Sequence, residues 1–109
     1  MGIMMERGEI RWYKFKPPDK ERPVVILTRD AAIQFLGEIT VAPITSTIRG
    51  IPTEVLLDES DDMKGACAIN FDHVQTVARG KLGALITKLP ETKMPQLKSA
   101  LLFAFGFDD

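Results

Sequence analysis

Of the two commonest soft metal ligands, the 109 residues carry one cysteine, Cys67, and one histidine, His73. An internal disulfide needs a second thiol, and the single His73 has no second histidine with which to build a zinc site, so neither a disulfide nor metal binding through soft ligands is expected. The eight glycines are scattered, and none falls into a GxGxxG or P-loop pattern that would wrap a nucleotide's phosphates in backbone amides. No cofactor and no metal site is expected. Long hydrophobic runs are missing too: the longest, residues 100–105, is far below the roughly 20 residues that cross a bilayer. Residues 1–6 have no basic segment leading into an apolar stretch and a small-residue cleavage site. A cytoplasmic chain with no membrane span is expected.

A net charge of −1 supplies no general attraction for a phosphate polymer, whose binding is mainly electrostatic. The distribution of charge alters that reading. Residues 7–50 hold eight Lys or Arg against five acids, whereas residues 51–62 hold five acids, Glu54, Asp58, Glu59, Asp61 and Asp62, and no base. The acidic run 58–62 reads as a solvated, flexible loop, with a dedicated metal site as the alternative. At 45% hydrophobic and 27% charged residues the composition is ordinary for a globular protein, and the length suits one domain over residues 1–109 with a real core.

Residues 9–15 alternate polar with apolar, the pattern of a half-buried strand with Ile10, Trp12 and Phe15 inward and a slip of period at Tyr13. Pro17 and Pro18 mark 16–21 as a loop. Further strands are predicted near 22–28, 39–44, 53–57, 67–71, 76–77 and 81–88. Residues 30–37 read as a short helical turn capped by Asp30 and ended by Gly37. After Thr92, a candidate cap, Met94, Leu97, Leu101, Leu102 and Phe105 recur at helical spacing, and Pro95 falls in the first turn where its missing N–H costs little. Many short strands with frequent turns predict a mainly β, α+β fold: a small barrel with a short inserted helix and a carboxy-terminal helix. Trp12 and Phe71 are read as core residues and not as stacking platforms.

Chemistry concentrates at two places. Arg22 precedes Pro23, which stiffens the chain, and opens an apolar strand, so its guanidinium fork is held where it can bridge two phosphate oxygens. Its bland alternative is a surface ion pair with Glu21 or Asp19. Thr45, two residues after Pro43, offers a hydroxyl at a strand end, where threonine also serves simply as a turn-former. His73 lacks an evident nucleophile to activate and reads equally as a strand-end surface residue.

The order and spacing of several short pieces carry a resemblance over nearly the whole chain. Arg7-Gly8-Glu9-Ile10-Arg11-Trp12, Arg22-Pro23-Val24-Val25, Val41-Ala42-Pro43-Ile44-Thr45-Ser46, Ile51-Pro52-Thr53-Glu54-Val55 and 70–77, followed by Lys81-Leu82-Gly83, together resemble the MazF/PemK toxins, the ribonuclease halves of bacterial toxin–antitoxin pairs. The resemblance implies an SH3-like barrel of the PemK/CcdB type, a two-fold homodimer that binds single-stranded RNA in its interface groove, metal-independent cleavage, and a MazE-like antitoxin that covers the groove with an acidic, partly disordered segment. It also implies that Arg22 and Thr45 are the catalytic pair. Lys14, Lys20 and Arg49 are the candidates for backbone phosphates, and Ser46, Asn70, Asp72 and Gln75 complete the candidate RNA-binding set. Asn70 and Gln75 stand where some relatives have arginine, and their amides suit reading of base edges. The loop 16–21 is shorter and more proline-rich than the glycine-containing loop of many relatives.

In the chemistry so implied, the RNA 2′-hydroxyl attacks the adjacent phosphorus and leaves a 2′,3′-cyclic phosphate and a 5′-hydroxyl, so the protein aligns, neutralises and moves protons. The resemblance also gives Arg22 the protonation of the leaving 5′-oxygen; a guanidinium that is already protonated is no base, and threonine is a poor one, which leaves the general base unassigned. The rival is a CcdB-like protein that poisons DNA gyrase by binding. Such proteins rely on a tryptophan-containing carboxy-terminal end, whereas the one tryptophan here is Trp12.

Overall fold

The computed structural model describes residues 4–18 and 20–108. Seven strands, β1 (Glu9–Lys14), β2 (Glu21–Ile26), β3 (Glu38–Thr45), β4 (Glu54–Leu57), β5 (Cys67–Asn70), β6 (Gln75–Ala78) and β7 (Leu85–Lys88), are joined by a one-turn helix α1 (Asp30–Ile33) and followed by α2 (Met94–Phe105). Every pairing is antiparallel, in the order β4-β5-β3-β2-β1-β7, with β6 also on β3. The eight-residue β3 is the pivot: its first half pairs β6, its last two residues pair β5, and β2 runs along its other edge. One strand serving two successive partners bends the sheet into a half-barrel. The expectation of a mainly β fold with an inserted and a carboxy-terminal helix holds.

Both faces of this sheet are covered. Val25, Ala42, Ile44, Ile69 and Phe71 form one cluster with Leu97 and Ala100 of α2, while Val24, Ile26, Ile39 and Val41 form a second with Ile33 of α1, Val77 and Leu82. That explains the unbroken Val24-Val25-Ile26 run, since a strand buried on both sides has no polar face to alternate. Each such side chain stabilises the fold by about 1.5–3 kcal/mol through burial.

The double covering also corrects the reading of β1. Glu9 and Arg11, placed by alternation on a solvated face, are buried and ion-paired at 2.8 Å, and Arg11 Nη1 donates to Gly83 O at 3.0 Å. Trp12, expected inside, is 36% exposed, opposite Pro23 near the strand's end. Tyr13 and Phe15 pack on the second cluster, edge to face at 4.9 Å, which accounts for the slip of period. Gly83 is needed where it lies: a Cβ there would sit 3.2 Å from Trp12 O, and its N–H donates to that oxygen at 2.7 Å.

Three local expectations change. Asp30 lies inside the first turn of α1 and not at its cap; its carboxylate accepts from Arg7 N at 2.6 Å instead. Thr92 caps nothing, because a 3₁₀ turn over Glu91–Lys93 leads into α2 and Lys93 N donates to Pro90 O. The strand predicted over 81–88 shortens to β7, since Arg79–Lys81 winds into another 3₁₀ turn. At the far end Gly106, at φ 77°, donates to Leu102 and Phe103 and closes α2. The helix packs on β4 and the Phe71–His73 turn, but Phe105, expected on its buried stripe, is 51% exposed.

Candidate active site

Two prolines shape the place where Arg22 and Thr45 meet. The β2–β3 ladder pairs Ile26 with Val41, Val25 with Ala42 and Val24 with Pro43, and there it stops. Leu27 N donates to Thr40 O across the same pair of strands, so by alternation the N–H missing at Pro23 falls on the β3 side. Pro43, also without a donor, stands where β3 changes partner, between Val41, opposite Gln75, and Ile44, opposite Ile69. Carrying the register two residues past the last pair sets Pro23 by Ile44 and Arg22 by Thr45. Those four residues line one pocket of about 440 Å³.

Within it Arg22 is exposed, and among the described residues no carboxylate lies within ion-pair distance of its guanidinium. Glu21, the neighbour considered as its partner, stands opposite Lys14 in the β1–β2 register, and Asp19 lies outside the described residues. Thr45 is half-buried, and its Oγ1 accepts from Thr47 N at 3.0 Å. That turn fixes the hydroxyl while leaving its proton to donate. Ser46 lines the pocket beside it.

The other expected residues lie elsewhere. Lys14 and Lys20 are exposed at the end of β1 and just before β2, outside the pocket lining. Arg49, Asn70 and Asp72 belong to a second polar cluster built on β4. The Glu54 carboxylate accepts from Arg49 N at 3.1 Å and Gly50 N at 3.0 Å, Glu54 pairs with Asn70, and Thr53 Oγ1 donates to Asp72 Oδ2 at 2.7 Å. Asn70 Oδ1 accepts from Asp72 N, so that half of its amide is committed to capping the Phe71–His73 turn. Gln75 is exposed on β6, and His73 is exposed at the end of that turn; neither lines the pocket.

What the motifs missed is the pocket's third side. The connection between β4 and β5 returns Met63, Lys64, Gly65, Ala66 and Cys67 against Thr45 and Ser46. The acidic run within this connection is not loose: Asp58 and Asp61 cap each other's backbone amides across a 3₁₀ turn, Asp58 Oδ1 accepts from Ser60 N and Oγ, Lys93 pairs with Asp61 at 3.4 Å, and Thr87 Oγ1 donates to Asp62 Oδ2 at 3.0 Å. The Ser60 hydroxyl, then its amide, holds the Asp58 carboxyl below the ordinary range. Burial, then Asp61 and Asp58, pushes the Cys67 thiol up, so at neutral pH it is a weak nucleophile on the pocket floor. Its position follows from strand pairing, which no local motif announces.

Comparison with known proteins places this geometry. The family described as PemK-like, MazF-like toxins of type II toxin–antitoxin systems matches residues 6–105. Endoribonuclease MazF3 of Mycobacterium tuberculosis is 40% identical over 90 residues, covering 83% of this chain and 87% of that protein. The solved structure of the Mycobacterium tuberculosis toxin MazF-mt6 superposes with a TM-score of 0.84 at 37% identity, covering 93% of this chain and 99% of that one. An endoribonuclease solved with its cognate antitoxin, from a mycobacterial species, has the same fold, with a TM-score of 0.82 at 24% identity. The order of motifs, the half-barrel and the match over residues 6–105 together establish that the chain belongs to the PemK-like, MazF-like toxins of type II toxin–antitoxin systems.

Proposed function

We propose that the protein is an endoribonuclease that cuts single-stranded RNA at the Arg22–Thr45 pocket, in a reaction that needs no metal. The observation that carries this reading is that Arg22 and Thr45, each two residues beyond the last β2–β3 pair, line one pocket in a chain whose relative is named an endoribonuclease. The substrate supplies the nucleophile. Its 2′-oxygen bonds to phosphorus as the P–O5′ bond breaks; the 2′-proton leaves to a base, and the departing 5′-oxygen takes up a proton, giving a 2′,3′-cyclic phosphate and a 5′-hydroxyl. Arg22 spans two non-bridging oxygens with its planar fork as their charge grows, and Thr45 Oγ1 donates to a third substrate oxygen. Arg22 is also the candidate to protonate the 5′-oxygen.

The same reading makes the whole chain one toxin domain, acting in the cytoplasm as a homodimer held in check by an antitoxin. Phe103 and Phe105, 46% and 51% exposed along α2, and the exposed Leu56 of β4 give a second copy apolar surface to cover. Toxin structures of the same fold are solved with a cognate antitoxin and as MazE–MazF complexes. The polar cluster around Glu54, with Arg49, Asn70 and Asp72, is the candidate surface for flanking nucleotides, joined by Lys14, Lys20 and Gln75.

The test is incubation of purified protein with long single-stranded RNA in EDTA, followed by mapping of the ends. Cleavage with 5′-hydroxyl ends, abolished by Arg22→Ala and by Thr45→Ala in folded protein, is the expected result. Undiminished cutting by both variants overturns the site. Intact RNA together with inhibited DNA gyrase overturns the function in favour of a CcdB-like poison, a reading that nothing in the fold or the comparisons favours.

A further inference from the structure

We infer that Lys64 is a second phosphate-positioning cation of the Arg22 pocket, an inference that rests on reading this pocket as the site of RNA cleavage. Of the ten residues around the cavity, the cations are Arg22 and Lys64, on opposite sides of the Thr45–Ser46 hydroxyls in the order of the sheet: Arg22 on β2, Lys64 on the return into β5. Several other cations are already committed to protein oxygens, Arg7 to Leu27 O, Arg11 to Glu9, Arg79 to Ile33 O, Lys88 to Glu6 and Lys93 to Asp61. Lys64 is exposed and makes no such contact among the described residues.

Its backbone is nevertheless held on both sides. Met63 packs against the main core and its N–H donates to Asp58 O at 3.3 Å, Asp62 takes a left-handed turn at φ 66° with its carboxylate on Thr87, and Cys67 opens β5 opposite Leu57. Next to it Gly65 has nothing within 4 Å of where a Cβ would stand, so the pocket is open at this point. A long flexible stem on an anchored base, over an apolar floor of Pro23, Ile44, Met63 and Cys67, delivers one ammonium to a phosphate without crowding it. The chemistry asks for such a group. A phosphodiester carries one negative charge and its pentacoordinate transition state approaches two, so a single guanidinium leaves the developing charge half met. Asn70 and Gln75 carry no charge and lie outside the lining.

The test uses an RNA oligonucleotide spanning a site mapped on the long RNA, and a matched oligonucleotide with 2′-deoxyribose at the scissile position as an uncleavable probe. Lys64→Gln is expected to lower kcat/KM about tenfold and to flatten the dependence of log Kd on log salt for the probe by about 0.7, the share of one phosphate contact on a single strand, with an unchanged melting temperature. Lys64→Arg is expected to retain both. Wild-type rate and salt slope in Lys64→Gln overturn the inference and leave the pocket's function standing, as does slower cutting with an unchanged slope, the mark of a merely structural role. If the wild-type protein itself leaves the RNA intact, the functional reading fails and the inference fails with it.

Discussion

Thr47 N–H donates to Thr45 Oγ1 at 3.0 Å, and this single bond decides what the Thr45 hydroxyl offers a substrate. A hydroxyl has one proton and two acceptor positions, and with one acceptor position taken by its own turn the proton is left to donate into the pocket. Thr45→Ser keeps both functions and is expected to cut RNA within about tenfold of wild type, whereas Thr45→Val, which keeps the shape, loses about 100- to 1,000-fold in kcat, the usual cost of removing one donor to a developing anion. Single-turnover cleavage of one oligonucleotide by the three proteins checks this. Equal rates in the serine and valine variants would remove the hydroxyl from the mechanism.

Glu9 and Arg11 provide a test of stability away from the pocket. Both side chains are only 7% exposed, and the guanidinium also ties β1 to Gly83. Removing one partner strands a charge in the interior, at a cost of about 3–5 kcal/mol, a large part of the 5–15 kcal/mol that holds a domain together. Glu9→Gln and Arg11→Met are therefore each expected to depress denaturant stability by amounts that do not add in the double variant. Double-variant loss equal to the sum of the single losses would mean the two groups act independently.

The same pair marks the limit of what sequence reading reached. That Arg22 and Thr45 would converge on one place was legible because prolines punctuate both strands, and the two do line one pocket. Glu9 and Arg11 were not, because period-two alternation assumes one wet face and here α2 covers one side while the α1 cluster covers the other. Lys64 and Cys67 were illegible for another reason. They reach Thr45 through the pairing of Leu57 with Cys67 and of Thr45 with Ala68, contacts between segments that nothing in the local sequence links. Charge patterning makes the acidic run look loose because it says nothing of the reciprocal cap between Asp58 and Asp61.

Cys67 reports on the pocket. The thiolate is the reactive form, and burial together with Asp61 and Asp58 keeps the thiol protonated. Alkylation by iodoacetamide at neutral pH is expected to be at least about tenfold slower than for a free thiol, and slower again when the uncleavable oligonucleotide fills the pocket above it. Labelling at the rate of free cysteine, or unaffected by the oligonucleotide, counts against this placement of the floor.

Asp58 gives the pH dependence a defined sign. Its carboxyl is held below the ordinary value of 3.8, chiefly by the Ser60 hydroxyl and then by the Ser60 amide. A carboxylate whose proton affinity is lower folded than unfolded stabilises the fold above the unfolded value, and that contribution fades as pH falls through the folded one. Asp58→Asn keeps an acceptor at the same position without the charge. At pH 7 the wild type is expected to melt at a higher temperature than Asp58→Asn by a small margin, since the group is exposed and screened by salt. The gap should begin to narrow as pH drops past 3.8 and close below the depressed folded value, where residue 58 is neutral in both proteins. Melting curves taken from neutral to acid pH measure it directly; a gap that persists undiminished at the acid end assigns the difference to packing of the amide, and takes the charge out of the cap.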